Sequence, residues 1–190
     1  MTLKGSQTEK NLLAAFAGES QARNRYSFFA SAAKKEGFEQ IAGIFLETSD
    51  NEREHGEQYF KLLEGGDAEI VATYPAGVIG PTLDNLKAAA AGEHLEWTKL
   101  YPGFGDVAQQ EGFKAAAAKF RSIAEVEQYH DRRYQKLIER VSSGTVFKRE
   151  QAIKWKCRVC GRVHEGLEPP KMCPTCGHAQ AYYEPWCENY

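Results

Sequence analysis

No stretch at the start of this 190-residue chain is apolar. Met1-Thr2-Leu3-Lys4-Gly5-Ser6 offers neither the core of a secretory leader nor the beginning of a membrane span. The chain also lacks an excess of charge of either sign. Its 24 Lys+Arg against 26 Asp+Glu leave a formal net charge of −2, which gives no basis for binding nucleic acid or an anionic membrane. No Gly-x-Gly-x-x-Gly follows a strand-like segment, so a nicotinamide site within the chain is not expected. Cysteine is scarce. Of the five, four lie in two Cys-x-x-Cys pairs, and in a chain expected to be cytoplasmic such pairs read as metal ligands rather than disulfides.

What is present is a repeat. Glu52-Arg53-Glu54-His55 returns 75 positions later as Glu127-Gln128-Tyr129-His130. Glu36-Gly37-Phe38, Phe45, Tyr59 and Leu62 return at the same offset as Glu111-Gly112-Phe113, Phe120, Tyr134 and Leu137. Ala17-Gly18-Glu19 returns as Ala91-Gly92-Glu93, one residue out of step. Each copy is a helical segment carrying a glutamate, a glycine break and a second helix carrying Glu-x-x-His. Doubling that unit gives the four helices of a two-metal carboxylate bundle.

The helical stripes locate the acids. Helix A starts at Ser6, whose pairing with Glu9 is a capping box. Its apolar stripe runs Leu12, Phe16, Glu19, Ala22, Tyr26, Ala30, Ala33 and ends at Gly37. Helix B carries Ile41, Phe45, Thr48, Glu52, His55, Tyr59 and Leu62, and is expected to stop at Gly65-Gly66. Residues 67 to 81 read as a long crossing connection. Helix C carries Leu83, Leu86, Ala89, Glu93, Glu96 and Leu100, with Pro102-Gly103 expected to kink or interrupt it. Helix D carries Ala116, Phe120, Ile123, Glu127, His130, Tyr134, Leu137 and Val141. Five carboxylates therefore lie within apolar stripes, where charge is costly unless paired or bound to metal. Three steps of i to i+3, namely Glu52/His55, Glu93/Glu96 and Glu127/His130, each present two ligands on one face. A single Glu-x-x-His is usually a solvated pair; two copies on apolar stripes favour the ligand reading. His94 is assigned to the surface, and Asp50, Glu54 and Glu125 to wet faces. Tyr26 and Tyr101 are either plain core aromatics or partners of ligand carboxylates; Tyr26 lies two turns from Glu19, and Tyr101 is placed to hold Glu96.

The predicted organisation is a bundle over residues 1–144, a linker at 145–152 and a small domain at 153–190. The last holds Cys157, Cys160, Cys173 and Cys176 in two knuckles, a tetrahedral four-thiolate pattern that serves either a structural zinc ribbon or an iron site. Trp155, Tyr182, Tyr183 and Trp186 are its expected core, His164 and His178 its surface, and Cys187 a free thiol.

Gly18-Glu19-Ser20-Gln21-Ala22-Arg23-Asn24-Arg25-Tyr26, the two Glu-x-x-His motifs, Ala91-Gly92-Glu93 and the knuckles together resemble the rubrerythrin family over essentially the whole chain. The resemblance implies a mainly α protein: a ferritin-like four-helix bundle with a long crossover, and a C-terminal rubredoxin-like domain. It implies three iron ions per chain, two in the bundle and one on the cysteines, with zinc able to replace iron in a purified sample. Glu52 and Glu127 would bridge the two irons, while Glu19, Glu93, Glu96 and His130 would bind terminally. His55 would bind in the reduced state where Glu96 binds in the oxidised state. Glu96 is the one ligand without an acidic counterpart in the first copy, where Ala22 or Gln21 stands, depending on register. The implied activity is reduction of hydrogen peroxide to water, with electrons from an NAD(P)H-dependent reductase or a rubredoxin. The alternative is ferroxidase or iron-handling activity, which leaves the cysteine domain without a task. A head-to-tail homodimer is expected, because helix D runs about 12 residues, or ~18 Å, past His130 and carries the tail away from the bundle metals unless the linker folds back.

Overall fold

The computed structural model describes residues 2–188. Helix α1 spans Gln7–Lys35 and α2 Glu39–Phe60. Then α3 covers Thr82–Leu95, a π-turn Glu96–Leu100, α4 Tyr101–Gln110 and α5 Lys114–Ser142. Helix α1 packs against α2, and the continuous α3–π–α4 helix packs against α5. Residues 67–81 cross between the two pairs without helix or strand. No helix among the described residues is long and apolar enough to cross a membrane.

The repeat is visible as a pseudo-twofold. Ser6 Oγ accepts the Glu9 amide at 3.0 Å, completing the first half of the capping box. The carboxylate of Glu111 accepts from the Thr8 amide and hydroxyl at 2.8 and 2.6 Å, and its counterpart Glu36 accepts from the Thr82 amide at 2.8 Å. Each helical pair thus caps the N-terminus of the other. Gly37 and Gly112, with φ of 82° and 84°, take the left-handed conformation that lets each first helix end and the next begin. The apolar core divides in the same way. One cluster holds Tyr26, Phe45 and Tyr134, the other Tyr101, Phe120 and Tyr59, each the 75-residue counterpart of the first. The acids lie between the two.

Three expectations are corrected. Helix α2 ends at Phe60, ahead of Gly65-Gly66, in turns formed by Leu62 and Leu63 amides. Pro102 does not interrupt helix C, because it sits in the first turn of α4, where a proline is tolerated. The irregularity lies one turn earlier, in the π-turn. There Leu100 is 36% exposed and Tyr101 only 2%, so Tyr101 takes the core position expected for Leu100. The cause is the single residue by which the repeat slips. Glu19 to Tyr26 is seven residues; Glu93 to Tyr101 is eight. At about 100° per residue, seven residues return Tyr26 to within ~20° of its glutamate's direction, whereas eight leave Tyr101 ~80° away. The wide turn absorbs the extra residue and restores the register.

The small domain is a three-stranded antiparallel sheet ordered β2-β1-β3, from β1 Ile153–Cys157, β2 Val163–Gly166 and β3 Tyr183–Pro185. Trp155 and Tyr183 are buried with Cys157 and Cys173, while Tyr182 and Trp186, expected in this core, are only half-buried. The chain folds back after α5 and the domain rests on α2. A Cβ on Gly43 would lie 2.5 Å from Arg158 Nη2 and one on Gly37 3.6 Å from the Ala181 methyl, so α2 offers a side-chain-free notch to the domain.

Deleting exposed Lys99 from the π-turn should give a regular α-helix with seven residues from Glu93 to the tyrosine, as from Glu19 to Tyr26, and so keep that tyrosine on the core face. The deletion should be tolerated, with a melting temperature close to that of the wild type at unchanged helical circular dichroism. A loss of about 2 kcal/mol, the cost of breaking the tyrosine's buried bond to a carboxylate (below), would refute the register argument.

Candidate metal centres

Glu19 comes from α1, Glu52 and His55 from α2, Glu93 from α3, and Glu127 and His130 from α5, all buried. Their ligand atoms form two groups, Glu19/Glu52/His55/Glu127 and Glu52/Glu93/Glu127/His130, each with its atoms within 4.8 Å of one another. Glu52 and Glu127 belong to both. The groups mirror each other closely. His55 Nδ1 lies 2.8 Å from Glu127 Oε1, 3.2 Å from Glu52 Oε2 and 3.8 Å from Glu19 Oε2. His130 Nδ1 lies 2.8 Å from Glu127 Oε2, 3.3 Å from Glu52 Oε1 and 3.7 Å from Glu93 Oε2. The imidazoles face each other at 5.9 Å.

A pair of cations fits this set. Oxygens of Glu19, Glu52, Glu93 and Glu127 and Nδ1 of His130 are buried and, though close together, make no well-formed hydrogen bond. Buried polar atoms left in this state are costly, and all of them converge on the same space.

The surrounding charges are consistent with it. Burial, then the field of Glu52, pushes the carboxyls of Glu19 and Glu93 well above their ordinary range. Burial also opposes ionisation of Glu52, but the imidazoles of His130 and His55 overcome it and hold this carboxyl well below its ordinary value. Burial disfavours charge on His130 too, yet Glu127, Glu52 and Glu93 push it up to about 12; His55 moves in the same direction against Glu127, Glu19 and Glu52. The histidines therefore carry protons that a cation must displace.

Two phenols cross-brace the site. Tyr26 Oη donates to Glu93 Oε1 at 2.5 Å, and its counterpart Tyr101 Oη donates to Glu19 Oε1. Burial first, then the adjacent Glu93 or Glu19, raises both phenols well above their usual value, so both remain donors. This corrects two expectations. Tyr26 reaches across to Glu93 rather than to Glu19 on its own helix, and Tyr101 holds Glu19 rather than Glu96. Side chains on one helix two turns apart stack along the axis, whereas the facing helix brings the opposite carboxylate to the phenol.

Glu96 belongs to neither group. It is half-buried in the π-turn and lines a cavity of about 670 Å³ between α1, the crossover and helix C, together with Gly18, Ala22, Tyr26 and Tyr101. Burial, then the charges of Glu19 and Glu93, raises its carboxyl well above the ordinary range. The crossover closes over this cavity where Tyr74 Oη donates to the Ala14 carbonyl at 2.6 Å.

Several residues that bear on the site escaped the sequence reading. Asp131 is buried and accepts from Trp97 Nε1 at 3.0 Å, with His94 Nδ1 at 2.9 Å, tying the π-turn to α5. His94 is thus exposed but anchored, not merely superficial. Asn51 Oδ1 lies 3.3 Å from His130 Nε2. The signal available for both was departure from the repeat: Asp131 corresponds to Gly56 and Asn51 to Val126.

In the tail, Cys157 Sγ and Cys176 Sγ are 3.8 Å apart, Cys160 Sγ and Cys173 Sγ 3.7 Å. These are far too long for a disulfide. A tetrahedron with metal–sulfur bonds of about 2.3 Å has edges of about 3.8 Å. The cysteines fit one tetrahedral metal ion. Cys187 is exposed and apart from them.

A divalent ion entering the bundle should release protons, at least one from each imidazole. Affinity should rise with pH throughout the range below about 12, since His130 binds its proton up to that pH. Titration of the metal-free protein with Mn²⁺ in weak buffer at several pH values checks this; binding at pH 7 without proton release would overturn the charge assignment.

Residues 10–138 match the family described as Rubrerythrin, and residues 155–184 match the one described as Rubrerythrin, rubredoxin-like domain. Among curated proteins, a rubrerythrin of Porphyromonas gingivalis is 59% identical over 189 residues, covering 100% of this chain and 94% of the relative. One from Nitratidesulfovibrio vulgaris is 56% identical, covering 96% of each. Among solved structures, a fully reduced, all-ferrous nigerythrin aligns with a TM-score of 0.63 and 31% identity over 97% of this chain and 89% of that one. A Mycobacterium tuberculosis bacterioferritin shares the bundle fold at a TM-score of 0.64 and 17% identity, over 75% of this chain and 90% of its own.

Proposed function

The chain belongs to the rubrerythrin family of oxidoreductases, and on that premise we propose that it is a non-haem di-iron peroxidase, reducing hydrogen peroxide to water in defence against oxidative stress. The observation that carries the reading is the pair of four-ligand groups sharing Glu52 and Glu127, in one chain with a tetrahedral four-thiolate site. Glu52 and Glu127 would bridge, with Glu19 and His55 on one metal and Glu93 and His130 on the other. Two ferrous ions held there would supply one electron each, the two that, with two protons from solvent, reduce one peroxide to two waters.

The chain's own residues do the rest. Tyr26 and Tyr101 hold Glu93 and Glu19 in place and keep their protons while doing so. The cavity beneath the crossover gives a small neutral molecule such as peroxide a route to the Glu96 side of the site. Glu96, outside both groups and with its carboxyl raised well above the ordinary range, would be the anionic oxygen ligand available in exchange for His55 to an oxidised metal held at Glu19. Iron on the four cysteines, the third per chain, would pass on electrons from an NAD(P)H-dependent reductase or a rubredoxin. Zinc would fit the same thiolates without carrying electrons. A ferroxidase shares the bundle but gives the docked cysteine domain no role.

Iron-loaded protein supplied with reductase and NADH should consume peroxide. Zinc placed selectively in the four-cysteine site should leave the fold unchanged and abolish reductase-driven turnover. Undiminished turnover would show that electrons enter elsewhere.

We further propose a head-to-tail homodimer in which each tail serves the partner's bundle. The domain docks on its own α2 at Gly43, nine residues short of Glu52, which at ~1.5 Å per residue is about 14 Å along the helix before any lateral distance. Mixing Glu127→Ala with Cys157→Ala/Cys160→Ala chains, after subunit exchange is verified, should restore part of the activity. Mixed dimers as inactive as either parent would exclude transfer between chains.

A further inference from the structure

The two four-residue groups of the bundle site match member for member but differ one shell out. His130 Nε2, the ring nitrogen pointing away from the carboxylates, lies 3.3 Å from Asn51 Oδ1. A carboxamide oxygen only accepts, so this contact is a hydrogen bond when Nε2 carries the proton. That tautomer leaves the Nδ1 lone pair directed at Glu52, Glu93 and Glu127, where a metal would sit. The pseudo-twofold that exchanges His130 for His55 exchanges Asn51 for Val126, both half-buried. A valine offers no acceptor. No hydrogen bond to His55 Nε2 is formed by any described residue, and the ring is held only through Nδ1, on the metal side. Glu96, the surplus carboxylate, lies toward the His55 group: it lines the cavity with Tyr101, whose phenol donates to Glu19 of that group.

We propose that Asn51 is a positioning residue that makes His130 the permanent ligand, and that Val126 in the corresponding place leaves His55 the ligand free to depart. The difference resides in the outer nitrogen. For His130, leaving the metal means rotating the ring and breaking the Asn51 bond. For His55, ring rotation breaks no bond outside the metal's own coordination. The exchange of His55 for Glu96 is thereby directed to one metal, although both have the same carboxylate and imidazole set. This rests on the di-iron exchange reading above, but the tether itself can be judged without it.

The test uses the full-length chain and two readouts. In metal titrations with Co²⁺, Asn51→Val should weaken one of the two bundle ions by roughly 10- to 100-fold, the usual loss when an imidazole's outer partner is removed. The other ion should be unaffected, and Asn51→Asp, which keeps an acceptor, should restore tight binding. Metal-free variants should melt with the wild type, separating the effect from a fold defect. Two ions bound at wild-type strength in Asn51→Val, or no restoration by Asn51→Asp, would overturn the proposal. The second arm adds the tether where it is missing. In iron-loaded crystals of Val126→Asn, His55 should remain on its iron in both the oxidised and reduced states. Departure of His55 in this variant as in the wild type would also overturn it. If wild-type crystals show His55 on iron in both states, the exchange reading fails, and the titration alone decides the role of Asn51.

Discussion

Five carboxylates inside a four-helix bundle set the terms for the rest of this structure. Burial pushes Glu19, Glu93 and Glu96 toward their neutral forms, and only two imidazoles face the group. Such a core is unfavourable without cations, because each buried carboxylate forfeits hydration that no neutral neighbour fully replaces. The remaining features follow from this. Phenols rather than amines brace the terminal glutamates, since a tyrosine donates a hydrogen bond without adding a charge that would compete with metal. The apolar core is divided into two clusters on either side of the acids, so that ordinary packing holds the helices at the separation the ligands need.

A doubled sequence solves the symmetric part of this problem economically, and its departures from symmetry set the surroundings of the two ligand groups apart. The extra residue between Glu93 and Tyr101 would misdirect Tyr101 by most of a right angle in a regular helix. Absorbed as a π-turn, it keeps the Tyr101–Glu19 brace equivalent to Tyr26–Glu93 and at the same time places Glu96 at the edge of the cavity. Asp131, standing where the first copy has Gly56, ties that turn to α5 through Trp97. The two four-residue groups are alike, and the departures from the repeat lie outside them.

Six of the seven candidate ligands come together in the structure, all but Glu96, and they were legible because helix geometry converts i to i+3 spacing on an apolar stripe into a shared face, and a second copy removes the coincidence. The mutual capping of helices followed less directly: Glu36 and Glu111 were visible as repeated residues, but their targets Thr82 and Thr8 belong to the other pair of helices. The cross-bracing of Tyr26 and Tyr101 was misassigned for the same reason. Periodicity reports which residues share a face of one helix and carries no information on which residue of a facing helix meets it. The π-turn left a trace, the one-residue slip of the repeat, which the proline at position 102 masked by offering a more familiar cause of helix distortion. Asn51 and Asp131 looked like ordinary polar residues beside a motif, and their value appears only when compared with Val126 and Gly56.

Helix α2 links the two metal centres mechanically. Its C-terminal half supplies Glu52 and His55, and its N-terminal half carries the Gly43 notch against which Arg158, adjacent to Cys157, is seated and held by Glu184. Any side chain at Gly43 would meet the guanidinium, so the domain's seat is defined by the absence of atoms rather than by a bond. The bundle, by contrast, is held by directed bonds: caps run between its two helical pairs, and two phenols brace carboxylates on facing helices.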